Sequence, residues 1–253
     1  MRSVSPRRAI WRLRCAIQDR RLEREQRHGV LGPAHIRWDD NSAPENRRRW
    51  SSYDWDGRGE EWNAAPDWKQ ALIDDVLVRW IPADAATLEI GPGAGRWTEA
   101  LLHRASRLTI ADVSERPLDL CRERFANDPR LHFVLSSGCD LPGIPAESID
   151  AVWSFDVFVH IAPVDQAGYL QEIARVLRPG GVAVIHHADG RNRGQLPSRA
   201  GWRSPMSSHL FAALASERDL TVASQFDSWG PDHRYDLSGY ADAITVLRAP
   251  AQQ

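Results

Sequence analysis

Beyond about residue 67, short apolar runs bounded by turn residues alternate with stretches of helical periodicity. Thr87–Ile90, Arg107–Val113, Leu131–Leu135, Ile149–Ser154 and Val182–His186 read as strands. Leu72, Ile73, Val76 and Leu77 share one face of a predicted helix over Asp67–Trp80, which Ile81-Pro82 ends. Further helices are expected up to Leu102, over Pro117–Phe125 and over Val164–Leu177, where Pro179-Gly180-Gly181 breaks the pattern. A helix over Ser207–Glu217 and strands over Leu220–Gln225 and Ala241–Leu247 complete the chain. Such alternation predicts an α/β protein with a doubly wound, mostly parallel sheet.

The first quarter of the chain reads differently. Residues 29–66 are rich in Gly, Pro, Asn, Asp and Trp and read as loop. Residues 1–28 carry nine Arg against Asp19, Glu23 and Glu25, and Ile10, Leu13 and Ile17 follow helical spacing. The expected division is a basic helical arm and aromatic-rich cap over 1–66, then one domain over 67–253 with a loop insertion at 188–205. An arm of this kind packs on its own domain or on a second copy, so a homodimer is an open expectation.

Composition narrows the classes. The hydrophobic fraction of 42% and charged fraction of 26% are those of a globular chain. A net charge of −2 excludes a generally basic nucleic-acid binder. Cys15, Cys121 and Cys139 are too scattered for a disulfide framework or zinc cluster. No apolar run approaches the ~18 residues of a membrane span, and no secretory signal is visible. A cytoplasmic location is the expectation. Lys69 is the one lysine among 32 basic residues, so arginine count carries no message about phosphate binding.

The sharpest local signal is Leu88-Glu89-Ile90-Gly91-Pro92-Gly93-Ala94-Gly95-Arg96-Trp97, between a strand and a helix. Glycines there let a ligand approach the backbone and leave helix N–H groups facing it. Asp112 ends the second strand, 21 residues after Gly91, where a carboxylate can accept ribose hydroxyls. A nicotinamide fingerprint would need a third glycine where Arg96 stands, and no Gly-Lys-Ser/Thr follows to make a P-loop.

Together Glu89-x-Gly91-x-Gly93-x-Gly95, Asp112 and Arg175-Val176-Leu177-Arg178-Pro179-Gly180-Gly181 resemble the class I S-adenosylmethionine-dependent methyltransferases, over about residues 70–187. The resemblance implies a Rossmann-like sheet with a C-terminal antiparallel strand, an N-terminal helical and loop cap, and S-adenosylmethionine as cofactor. It implies a glycine turn under the methionine part, Asp112 on the ribose, and Ser137-Gly138 beside the adenine. Glu89, Gly91, Gly93, Gly95, Trp97, Ser154 and Phe155 complete the expected cofactor contacts. Ser137 departs from the pattern, since many members carry an acid there for the adenine amine; Asp140 is the nearby substitute.

Methyl transfer needs an aligned acceptor and, for a hydroxyl, a base. Candidate bases lie beyond strands four and five, in Ser154-Phe155-Asp156-Val157-Phe158-Val159-His160 and His186-His187-Ala188-Asp189. On a helix Asp156 and His160 would share a face, and a carboxylate raises the basicity of an adjacent imidazole. Strand alternation sends one of His186 and His187 elsewhere; His187, nearer the strand end, is the expected one at the site. These motifs, with Trp202-Arg203, Trp229-Gly230, Asp242, Tyr53-x-Trp55 and Gly59-Glu60-Glu61-Trp62, also resemble bacterial sugar O-methyltransferases of polysaccharide and glycoside assembly. That resemblance implies a saccharide acceptor held by Tyr53, Trp55, Trp202 and Arg203. If Mg2+ assists, Asp156, His187 and Asp189 are the ligands, although histidine suits Mg2+ poorly. Two other readings stay open: methylation of a small aromatic, quinone or polyketide acceptor, and a cofactor-binding regulatory protein without turnover.

Overall fold

The computed structural model describes residues 41–126, 128–190, 203–237 and 240–251. The predicted arm around Ile10, Leu13 and Ile17, most of the 188–205 insertion and Trp202 lie outside these residues. Helix α1 is Ala43–Ser52, and α2 runs from Pro66–Leu72 through a π-helical Ile73–Leu77 to Val78–Trp80. There follow β1 Ala85–Ile90, α3 Thr98–Leu102, β2 Ala105–Asp112, α4 Glu115–Arg124, β3 Leu131–Leu135 and β4 Ile149–Ser154. Next come α5 Pro163–Val176, β5 Leu177–Ala188, α6 Ser208–Ser216, β6 Thr221–Phe226, the short pair β7 Ser228–Trp229 and β8 Tyr235–Asp236, and β9 Asp242–Arg248.

Seven strands form one sheet in the order β3-β2-β1-β4-β5-β9-β6. β1 pairs parallel with both β2 and β4, so the winding reverses between β1 and β4. In doubly wound sheets that reversal opens a crevice beyond the carboxyl ends of the strands. β9 runs antiparallel between β5 and β6. The sheet is the expected doubly wound, Rossmann-like α/β sheet with an antiparallel strand near its C-terminal edge.

Strand alternation builds the core on both faces. Leu88, Ile90, Val152, Ala183 and Ile185 pack against Leu170 and Ile173 of α5 and Phe211 of α6. Leu108, Ile110, Trp153, Val182 and Val184 pack on the opposite face against Leu72, Val76, Leu101 and Leu118. No helix among the described residues is long and apolar enough to cross a membrane.

Two segments differ from expectation. Ala43–Ser52 was expected to be loop and is α1. Its residues are mostly polar, so it shows no apolar stripe; Glu45 pairs with Arg48 and Arg49 along it, and Pro44 sits in its first turn. β5 continues through Pro179-Gly180-Gly181, where the register against β4 slips and Gly180 adopts φ +74. The expected break is a bulge.

Leu88 is fully buried in the central strand β1. Leu88→Ala should cost ~2–5 kcal/mol in chemical unfolding. A loss below ~1 kcal/mol would place β1 outside the core.

Candidate functional site

A cleft opens where the winding reverses. The turn after β1 forms its floor with Ile90, Gly91, Pro92, Gly93, Ala94, Arg96 and Trp97. Gly93 has φ +56, and a Cβ there would stand 2.7 Å from the Trp55 ring, so a side chain would both strain the turn and push the cap away. Asp112 and Val113 border one end with Gly138. Phe155, Asp156 and Val157, after β4, form a side. Ala43, Asn46 and Trp50 from α1, with Trp55, Gly59 and Trp62, form the roof. The rings of Trp50, Tyr53, Trp55 and Trp62 lie 4.9–6.2 Å apart and edge one another into a single apolar wall.

Six of the expected cofactor residues, Gly91, Gly93, Trp97, Asp112, Gly138 and Phe155, line this cavity. The other four do not. Glu89 lies behind the turn, where one carboxylate oxygen accepts from Thr98 Oγ1 at 2.7 Å and the other has no partner among the described residues. Gly95 abuts the Phe125 ring of the α4 end. Ser154 donates to the Ile90 carbonyl, tying β4 to β1 at 2.9 Å. Ser137 is exposed, and its amide donates to Asp140 Oδ1 at 2.7 Å, so Asp140 closes the turn and is no substitute acid in the cavity.

The histidine expectation needs correction. His187 is fully buried on the α6 face, stacked 4.1 Å from Phe211, with Nε2 2.7 Å from Thr245 Oγ1. His186 is the one on the cavity side, behind Phe155 at 4.2 Å. The Asp156 amide donates to its Nδ1 at 3.1 Å, which places the neutral ring's proton on Nε2, 3.3 Å from Asp242 Oδ2. Protonation of Nδ1 trades that amide for the Asp156 carboxylate at 3.2 Å. Burial opposes the charged ring, but the flanking Asp156 and Asp242 carboxylates outweigh it and raise its pKa.

Asp156 does not orient His160 either. It takes φ +60, a left-handed position that Asp tolerates, and its Oδ2 accepts from Arg96 at 2.6 Å. Burial would raise the Asp156 pKa, yet His186, Arg96 and Arg203 hold it well below the usual carboxylate range. His160 ends a 3₁₀ turn and faces Trp50, ring centres 5.6 Å apart. Arg203 does not line the cavity; it lies 3.0 Å from Asp242 and over the Tyr240 ring. Trp229 packs on Trp68 in the core.

The metal set is also corrected. Asp156 faces Arg96 and His186, His187 faces Thr245, and Asp189 Oδ1 accepts from the Ser208 amide at 3.0 Å. Among the described residues no group of three His, Cys, Asp or Glu side chains converges as a metal site.

Asp112, buried with Ser114 N–H on one oxygen at 2.8 Å, is pushed by burial up to about 7. Glu89 is pushed by burial up to about 8, with Asp112 adding and Thr98 opposing. Glu89, Asp112 and His186 therefore hold protons more tightly in the fold than in the unfolded chain. Their stabilising contribution is full at low pH and is lost as pH rises through the folded values. Asp156 acts in the opposite sense and only below the ordinary carboxylate range. The ligand-free melting temperature should accordingly fall from about pH 5 to about pH 8, and Glu89→Gln should flatten that fall. A melting temperature that holds level or rises over this span would contradict the burial of these acids.

Comparison with known proteins fits the fold. Residues 88–185 match the family described as "Methyltransferase domain". A demethylmenaquinone methyltransferase of Clavibacter sepedonicus is 38% identical over 99 residues, 39% of this chain and 39% of that enzyme. A 2-methyl-6-phytyl-1,4-hydroquinone methyltransferase of Synechocystis sp. is 27% identical over 154 residues, covering 58% of this chain and 47% of the enzyme. The chain thus spans less than half the length of these curated relatives. The N-methyltransferase NodS of Bradyrhizobium japonicum, solved with S-adenosylhomocysteine, superposes with TM-score 0.58 at 19% identity, over 82% of this chain and 98% of that one. Residues 88–185 thus resemble a methyltransferase domain, and the sheet that carries them has the fold of the solved N-methyltransferase.

Proposed function

We propose that the protein transfers a methyl group from S-adenosylmethionine to a flat, largely apolar aromatic acceptor of the quinol class. The observation that carries this reading is the cavity, which the glycine turn, Asp112 and an indole wall line together. When bound, the cofactor supplies a methyl group on an electrophilic sulfonium. The quinol methyltransferases among the relatives support the acceptor class. The saccharide acceptor expected from sequence has no support from these relatives.

The chain's residues then divide the work. Asp112 accepts ribose hydroxyls. Trp50, Trp55 and Trp62 exclude water and offer faces to a planar ring. Asp156 is the carboxylate facing the cavity, 23% exposed and held anionic by Arg96. It accepts a hydrogen bond from an acceptor hydroxyl and so orients the ring. His186 supports Asp156 from behind and, at 1% exposure, touches no acceptor itself. His160 packs against Trp50 and does not line the cavity.

Full-length protein with labelled cofactor should methylate a naphthoquinol or substituted hydroquinone in a panel that also holds mono- and disaccharides, read by product mass spectrometry. Methylated saccharide alone, or cofactor binding without transfer to any acceptor, would defeat this assignment. Asp112→Ala should weaken S-adenosylhomocysteine binding by about ten- to a hundredfold in calorimetry, because unpaired ribose hydroxyls cost ~1–3 kcal/mol. Asp156→Asn should lower turnover at saturating cofactor by ~10²-fold. Near-full turnover would remove Asp156 from the catalytic role.

A further inference from the structure

His186 Nδ1 stands between two groups of the same residue. The Asp156 amide donates to it at 3.1 Å, and Asp156 Oδ1 lies 3.2 Å away. The nitrogen cannot serve both at once, because a neutral imidazole nitrogen accepts and a protonated one donates. A neutral ring takes the amide and gives Oδ1 no hydrogen bond. A charged ring donates to Oδ1 and releases the amide. Asp156 therefore has two hydrogen-bonded arrangements, selected by a single proton.

The choice reaches the cavity through Asp156. This residue lines the cavity and its side chain is 23% exposed, whereas that of His186 is 1% exposed. Oδ2 accepts from Arg96 at 2.6 Å, so Oδ1 is the oxygen that the ring either leaves or claims. The groups facing the ring are Asp156 and the Phe155 ring after β4, and Asp242 of β9, 3.3 Å from Nε2. Arg96 and Arg203 stand behind the two carboxylates. Burial disfavours the charged ring, but the carboxylates prevail, so the exchange falls above the ordinary histidine value of ~6.5.

We propose that His186 is a positioning residue for the acceptor: neutral, it leaves Asp156 Oδ1 open to an acceptor hydroxyl, and protonated, it withdraws that oxygen. This rests on the acceptor role given to Asp156 above. Acceptor binding then weakens as pH falls through the titration of the ring. A ring that only packed behind Asp156 would alter turnover when substituted but would set no such step.

The test reads the acceptor KM of the full chain for a naphthoquinol from about pH 5.5 to about pH 9. Cofactor is kept saturating throughout, so that titration of Asp112 does not enter. KM should fall by about tenfold or more over a one-proton step as pH rises. His186→Asn supplies an amide oxygen for the Asp156 N–H and no titrating ring. It should remove the step and hold KM near the high-pH value of the unaltered protein. In the ¹⁵N-labelled unaltered protein with S-adenosylhomocysteine, the Asp156 amide resonance should shift at the same midpoint as the His186 ring nitrogens. This second readout decides the matter even where His186→Asn fails to fold. A level KM, a step kept in His186→Asn, or an amide midpoint apart from that of the ring would overturn the proposal while leaving transfer to the quinol intact. No methylation of any quinol would instead defeat the acceptor reading, and this inference with it.

Discussion

A guanidinium taken out of water must find its counter-charge inside the protein, and Arg96 is 4% exposed at the heart of the glycine turn. It meets that demand with Asp156 after β4 and Asn63 in the cap. Asp156 then leans on His186 of β5, His186 on Asp242 of β9, and Asp242 on Arg203. One polar ladder thus crosses the carboxyl ends of β1, β4 and β5, the amino end of β9, and the cap. Breaking a buried pair by deleting one partner typically costs ~3–5 kcal/mol, because the other charge is stranded. The shape of the cavity depends on this ladder, since it holds Asp156 in its left-handed position and keeps the turn after β1 against β4.

The sheet was legible because its inner strands β1 and β4 bury both faces, and its strands read as short apolar runs between turn residues. Leu131–Leu135 and Ile149–Ser154 fall where their composition says. Helix α1 was not legible, since Arg47, Arg48 and Arg49 give it no apolar stripe; its order comes from Asn46, Arg47 and Ser51 bonding to other elements. Its signals were Pro44 and Glu45 in the first turn and Arg49 in the last. The histidine error is one of parity. Val182 and Val184 face the aromatic side with Trp153, so His186 follows them, and His187 follows Ala183 and Ile185 to α6. Proximity to the strand end was the wrong criterion.

The site residues divide by the same physics. Gly91, Gly93 and Asp112 were readable because turn chemistry and strand-end position are local properties. Asn46 was not, because its place in the cavity lining depends on a helix packing across the sheet end. Nor was the link from Arg96 to Asp156, 60 residues apart in sequence and 2.6 Å apart in space.

Two buried polar groups around the cavity, Glu89 and Asn46, keep an oxygen unpaired among the described residues. A sheet selected only to be stable would fill such positions with apolar side chains, since buried acceptors without donors cost more than they return. Both lie near the end where Asp112 sits. Trp50 and Trp62 line the same cavity as a wall, with Asp156 as its charged group. A module that only sensed the cofactor would need the first set and would have no use for the second. An aromatic wall facing a fixed carboxylate is costly to maintain in an unused cavity, because Asp156 must be kept anionic against burial. That asymmetry argues for a second ligand, held flat against the indoles and anchored by a hydroxyl, and so for turnover over sensing.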